Sequence, residues 1–281
     1  MKKYLIITIT ALLLVGNQSK SLFAEQRTQR IISLTPATTE ILFSLSLDDQ
    51  IIGVTTFCNY PPEAITKEKV GTFSQPNIEK IVLLKPDIIF ATGLEQAHTV
   101  ERLRQLQLRV VVSHPATIDE LFSSIAEIGT VTHREKEAQG IIDAMKKKIE
   151  VIAANVAHIA QEEKPEVFIE IWHDPLMTAG KGSFVDELIT LAGGINIAGD
   201  TPRPYSYFSA EQVIIRNPDC IILGYMDSEQ GAGIAHRLGW GDIKAVQRNR
   251  VYSDIDPDVL LRPGPRLAQG LYELHQRFYA Q

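Results

Sequence analysis

What this chain has little of narrows the field first. Cysteine occurs only twice in 281 residues, too seldom for a disulfide-held framework. Cys58 falls in a loop of the first half and Cys220 in a strand-like run of the second, so two separate thiols are expected. Positive charge is in deficit: 28 Lys and Arg stand against 34 Asp and Glu, a net charge of −6. Nucleic acid needs a clustered basic footprint, and that class of partner is set aside. No G-x-S-x-G elbow, Walker loop or H-E-x-x-H pair is present, and none of the seven histidines has another three or four residues away. The chain therefore reads as a non-enzyme, with no catalytic residue and no dedicated metal cage expected. An acid/base couple of Glu170 with Glu187 or Asp174 is the alternative, and nothing in the spacing prefers it to salt bridges and caps.

Long apolar runs are also missing, with one exception. Lys2 and Lys3 precede the run Tyr4 to Val15, and a polar stretch then ends in Leu22-Phe23-Ala24. The run is too short to span a bilayer and has the parts of a secretory leader cut after Ala24. Loss of Lys2, Lys3 and Lys20 would take the charge to about −9. No cysteine lies in or just after the run, so a free exported protein is expected rather than a lipid-anchored one.

What is there is a passage written twice. Ile78 to Gly93 reads IEKIVLLKPDIIFATG and Ala210 to Tyr225 reads AEQVIIRNPDCIILGY. Each copy has an acidic residue at the mouth of a short helix (Glu79, Glu211), an apolar helical face, Pro-Asp, and a buried strand. A repeat at this separation implies two similar α/β lobes with a cleft between them.

The chain divides accordingly into a leader over 1–24, a first lobe over 25–133, a linking helix over 134–162 and a second lobe over 163–281. In the first lobe, strands are expected at Arg30–Ser33, Ile51–Val54, Asp87–Ala91 and Val110–Val112. Helices are expected at Ala37–Leu45, Asn77–Leu84 and Ala97–Leu106, and a capping box at Thr117 and Glu120 opens another to about Thr130. Ile141, Ile142, Met145, Ile149, Ile152 and Val156 recur at helical spacing through the linker. In the second lobe, strands are expected at Glu166–Ile171, Cys220–Leu223 and Val251–Ser253. Helices there are expected at Ser183–Ala192, at Ala210–Arg216 and from Arg266. Alternation of this kind gives mostly parallel sheets.

Ligands of parallel α/β sheets sit beyond the carboxyl ends of the strands. The residues expected there are aromatic: Phe57, Tyr60, Phe73, Trp172, Tyr205, Tyr207, Phe208 and Tyr225. Such faces suit a large planar or bulky ligand. Phe57, Phe73 and Phe208 are expected to pack beneath their own loops. Tyr60 is stiffened by Pro61-Pro62, and Tyr205 by Pro202-Arg203-Pro204. His98, His114 and His173 lie on the same set of loops. Glu79 and Glu211 complement helix dipoles, and as a matched pair they also suit a two-fold-symmetric partner.

From about Arg30 to its end the chain resembles the periplasmic substrate-binding proteins of the vitamin B12, ferric-siderophore and haem ABC importers, and within that family its vitamin B12-binding members. The resemblance is carried by RIISLTPATTEILFSL, IIGVTTFCNYPPEA, VGTFSQPNIEKIVLLKPDIIFA, PLMTAGKGSFVDELITLAGGINIAGD, YSYFSAEQVIIRNPD and RPGPRL. It implies a class III binding-protein fold, two Rossmann-like lobes joined by one long rigid helix, acting as a periplasmic monomer. It implies a corrinoid or other metal chelate as ligand, with no resident cofactor. It implies ligand contacts from Tyr60, Tyr205, Asp258 and Arg262, to which Trp172 and Tyr207 are added from the aromatic set, and docking of Glu79 and Glu211 on a permease dimer with its ATPase. The corrinoid-binding members carry a tryptophan where this chain has Thr92-Gly93-Leu94.

Overall fold

A computed structural model describes residues 28–225 and 233–279. The leader expected over 1–24 lies outside the described residues.

The duplicated passage builds the same unit in both halves. Helix α2 (Ile78–Leu83) leads to strand β3 (Ile88–Ala91), and helix α7 (Ala210–Arg216) leads to strand β9 (Cys220–Leu223). Asn77 and Ser209 cap the two helices, accepting from the backbone N–H of Lys80 and Gln212. Each helix ends on a left-handed residue, Lys85 (φ 48°) or Asn217 (φ 45°), before Pro-Asp. The aspartates then do one job twice. The Asp87 N–H donates to the Arg30 carbonyl (2.8 Å), and its carboxylate accepts from the Arg30 N–H (2.8 Å). The Asp219 N–H donates to the Glu166 carbonyl (2.8 Å), and its carboxylate accepts from the Glu166 N–H (3.1 Å). These paired bonds set β3 beside β1 (Ile31–Ser33) and β9 beside β5 (Glu166–His173), both in parallel.

The first sheet is four-stranded and parallel, in the order β2-β1-β3-β4, with β2 at Ile51–Val54 and β4 at Val110–Val112. Its helices are α1 (Pro36–Ser44), α2, α3 (Ala97–Gln105) and α4 (Ile118–Thr132). At α4 the expected capping box is open. Thr117 Oγ1 accepts from the Glu120 N–H, while the Glu120 carboxylate accepts from the Ala116 N–H rather than from that of the cap. Helix α5 (Glu135–Val156) then leads to the second sheet. It has 22 residues, about 33 Å at 1.5 Å per residue. This is shorter than the 134–162 expected, because Ala160 is extended and Gln161–Glu163 form a separate 3₁₀ turn.

The second sheet has six strands. Strand β10 (Val251–Tyr252), β9 and β5 are parallel, and β7 (Ile195–Asn196) joins β5 in parallel. Strands β6 (Leu176–Ala179) and β8 (Tyr205–Tyr207) extend the sheet antiparallel. None of β6, β7 and β8 is among the expected strands. Helices α6 (Phe184–Leu191), α7, α8 (Lys244–Gln247), α9 (Pro257–Leu261) and α10 (Leu267–Phe278) complete this half. Helix α6 stops at Gly193 (φ +90°), where a Cβ would lie 2.6 Å from the Tyr279 hydroxyl.

Period-two alternation along the central strands distributes their side chains over three cores. Ile31, Ile88 and Phe90 from the first sheet, and Val167, Ile169, Cys220 and Ile222 from the second, enter one cluster with Ile142, Met145 and Ile152 of α5. The alternate residues Ile32, Ile89 and Ala91 form a cluster on the far face of the first sheet. Phe168, Ile221 and Leu223 form another on the far face of the second, around the buried Trp240. The halves therefore share a continuous apolar interior packed along α5. No helix among the described residues is long and apolar enough to cross a membrane.

Candidate functional site

The loops after β2 and β10 meet, and the meeting is electrostatic. Glu40 lies on α1 among residues buried on every side and is itself 2% exposed. Arg266, from the segment before α10, grips it with two bonds: Nε to Oε2 at 2.8 Å and a terminal nitrogen to Oε1 at 2.7 Å. Arg262 adds a third contact at 3.5 Å and also donates to Asn59 Oδ1 (2.6 Å). A carboxylate this deep is tolerated only because its charge is answered and its oxygens are bonded. The Glu40 carboxylate beside Arg266 pushes that guanidinium well above its usual range.

Tyr60, Asp258 and Arg262 of the expected site come together here. The Tyr60 ring lies under the Arg266 guanidinium, 3.8 Å from ring centroid to guanidinium carbon, and 41% of the residue stays exposed. Asp258 pairs with Arg262 at 2.8 Å. Burial raises the Asp258 carboxyl, against the opposing pull of Arg262.

Trp172, Tyr205 and Tyr207 form a second group on the antiparallel extension. Trp172 lies opposite Met177 and Met177 opposite Tyr207, so the three share a row across β5, β6 and β8. Tyr205 is two residues from Tyr207 and falls on the same face. All are open: Trp172 is 50% exposed, Tyr205 43% and Tyr207 71%. Burial nevertheless pushes the Tyr205 phenol up. The indole N–H of Trp172 donates to the Asp174 carbonyl (2.9 Å). Tyr205 and Tyr207 belong to a strand, not to the loop tip the prolines suggested. Pro202 and Pro204 precede the ladder, where a missing N–H does no harm.

Beneath this face sits a second buried carboxylate. Glu170, 0% exposed, accepts two bonds from Arg237 (2.6 and 2.8 Å) and one from the Tyr225 hydroxyl (2.7 Å). Burial and then Glu170 push the Tyr225 phenol far above its usual value, and the same carboxylate raises Arg237. A glutamate so engaged has no lone pair aimed at an open surface. Glu187 is occupied as well, accepting from the Ile118 N–H at the mouth of α4 (2.9 Å). The hydrolytic alternative loses Glu170, which both of its couples require.

Other expectations are corrected or relocated. Phe57 does not pack under its loop; it is 60% exposed, because its turn is held by the Arg262 bond to its carbonyl (3.5 Å) and not by the ring. Phe208 does pack inward, against Phe168 (5.8 Å) and beneath Arg216. His98 is exposed on α3, His114 bonds Thr92 Oγ1 (3.1 Å), and His173 is stacked between Trp172 and Tyr225. Among the described residues no group of three His, Cys, Asp or Glu could hold a metal ion. Cys58 and Cys220 are both free and buried. Glu79 and Glu211 sit exposed in the first turns of α2 and α7, Glu211 accepting from Ser209 Oγ (2.6 Å). Glu40, Asn59, Arg237 and Arg266 escaped the sequence reading. The one available signal was Glu40, a charge at the head of the apolar run Ile41-Leu42-Phe43.

Residues 31–258 match the periplasmic binding protein family. The chain is 34% identical over 269 residues to the uncharacterized ABC transporter substrate-binding lipoprotein YvrC of Bacillus subtilis, covering 94% of this chain and 83% of that protein. It is 30% identical over 241 residues to the vitamin B12-binding protein of Vibrio cholerae, covering 85% and 84%. Among solved structures it superposes with a TM-score of 0.77 on a possible iron-binding periplasmic solute-binding protein of Staphylococcus epidermidis. That pair is 32% identical and covers 89% of this chain and 98% of the other.

Proposed function

Because this chain belongs to the periplasmic binding protein family, we propose that it captures a corrinoid between its two halves and delivers it to an ABC importer. The observation that carries the reading is the presence of an open aromatic surface on each half. One is Tyr60 beside the Glu40–Arg266 clasp; the other is the row of Trp172, Tyr205 and Tyr207. Flat rings with polar rims suit a broad macrocycle, and a preformed seat spares ordering cost on binding. Asp258 and Arg262 supply the charged edge. No reaction is performed on the ligand, which leaves as it came. Similarity to a vitamin B12-binding protein favours a corrinoid.

A second reading replaces the corrinoid with an iron chelate, a ferric siderophore or haem. Similarity to the possible iron-binding protein favours it, as does Thr92-Gly93-Leu94 standing where corrinoid binders carry a tryptophan.

Glu79 and Glu211, one per half, dock on basic side chains of the permease dimer, and the carrier works as a free monomer in the periplasm after loss of residues 1–24. The mass of the mature secreted protein tests the last point: it is expected to start at Glu25 without acylation.

Titration of the purified protein with cyanocobalamin, haemin and ferrichrome tests the function, read by absorbance and by Trp172 fluorescence. Saturation by one chelate is expected. The Tyr60→Ala and Tyr205→Ala variants should each bind it about tenfold more weakly. A protein that binds none of the three defeats the reading.

A further inference from the structure

The two short helices repeat more than their glutamates. Helix α2 reads Glu79-Lys80-Ile81-Val82-Leu83 and α7 reads Glu211-Gln212-Val213-Ile214-Ile215. In each, the residue two after the glutamate is fully buried, Ile81 and Val213 both at 0% exposure, so the two helices turn the same side to their cores. Residues four apart on a helix are surface neighbours, which sets Leu83 beside Glu79 and Ile215 beside Glu211. Leu83 is 78% exposed, Ile215 is 72% exposed, and Val82 widens the first patch at 42%.

One exposed aliphatic side chain needs no explanation. The same acidic and aliphatic pairing, at equivalent positions of a duplicated unit, is a different observation. Each side chain buries little of itself in its own half, and both stand out beside a glutamate in the same place. In the second half a hollow of about 360 Å³ lies on the other side of Glu211, lined by Leu176, Ile214, Leu238 and Trp240 together with His173 and Arg237, and Ile215 stands outside it. Two copies of one mixed patch, fixed to a shared interior, match a partner that presents the complementary surface twice.

We propose that Leu83 and Ile215 are the apolar half of the docking surface. They enter matched apolar sites on a two-fold-symmetric membrane partner, each site next to the basic side chain that meets Glu79 or Glu211. This rests on the transport reading above. The charges govern encounter and its salt dependence, while burial of the two aliphatic side chains governs how long the complex lasts.

The test uses fluorescently labelled protein bound to spheroplasts of the native host, whose importers face outward. Leu83→Ser with Ile215→Ser should weaken binding at least about tenfold through faster dissociation, leaving the salt dependence and the chelate affinity unchanged. Leu83→Met with Ile215→Met should bind as the wild type does. Glu79→Gln with Glu211→Gln should slow association and flatten the salt dependence. A photo-crosslinking residue at position 83 or 215 should capture one and the same membrane protein. Wild-type binding by the serine pair, with binding lost in the glutamine pair, would overturn the inference and leave the importer reading standing. Binding unaffected by either pair would overturn both. Crosslinks only to a second copy of this chain would overturn the two-fold membrane partner.

Discussion

Glu40 holds its place by its charged hydrogen bonds, since nothing else about a carboxylate suits a site 2% exposed. Glu40→Ala leaves Arg266 and Arg262 with Asp256 and Asp258 as their remaining carboxylates and a hole where Glu40 sat, and we expect a loss of about 3 kcal/mol in urea unfolding. Glu187 shows the opposite balance. Burial, reinforced by Asp119, Asp186 and Glu120, raises its carboxyl, against the Ile118 N–H that lowers it. A carboxyl raised in the folded state binds its proton more firmly there than in the unfolded chain. Ionised Glu187 therefore opposes folding above its folded pKa, and the opposition disappears below the unfolded value. Glu187→Gln keeps an acceptor for Ile118, so its stability relative to wild type should be highest near pH ~7 and decline as the pH falls toward ~4. Cys220 is sealed: burial pushes its thiol up to about 12. Ellman's reagent should label neither Cys220 nor Cys58 in the native protein and both in urea. Single residues were legible in the sequence where their chemistry is local. The caps Asn77, Thr117, Ser183 and Ser209 could be named because the backbone N–H groups that donate to them lie three residues away. The Glu40–Arg266 pair could not, because 226 residues separate its members.

At the scale of elements the same division holds. Strands β2, β4 and β9 and helix α7 lie where their apolar runs and flanking turns put them. Strands β6, β7 and β8 hold two to four residues each, among Gly180, Gly182, Pro202 and Pro204, and are strands only because β5 is there to pair with. Helix α5 was readable from its repeating isoleucines, and it carries one weak point. Gly140 is exposed, with nothing within 4 Å of an added Cβ. Gly140→Ala should raise stability by about 1 kcal/mol in the same unfolding measurement without altering ligand binding.

For the whole molecule, the duplicated passage was the most telling text, because it reports two halves before either is folded. What it could not report is that those halves are fused through one interior and stitched across their loops. Charge reversal of Glu79 and Glu211 together should leave chelate affinity as it is and abolish uptake by the native host. Normal uptake would remove the docking role. The stitching has its own consequence for a carrier of this kind. The clasp at Glu40 sits where the two halves meet, so any motion that parts them there has to break it. Hinging apart at that point means prising one buried carboxylate from two guanidinium groups, a toll levied on every opening of the pair.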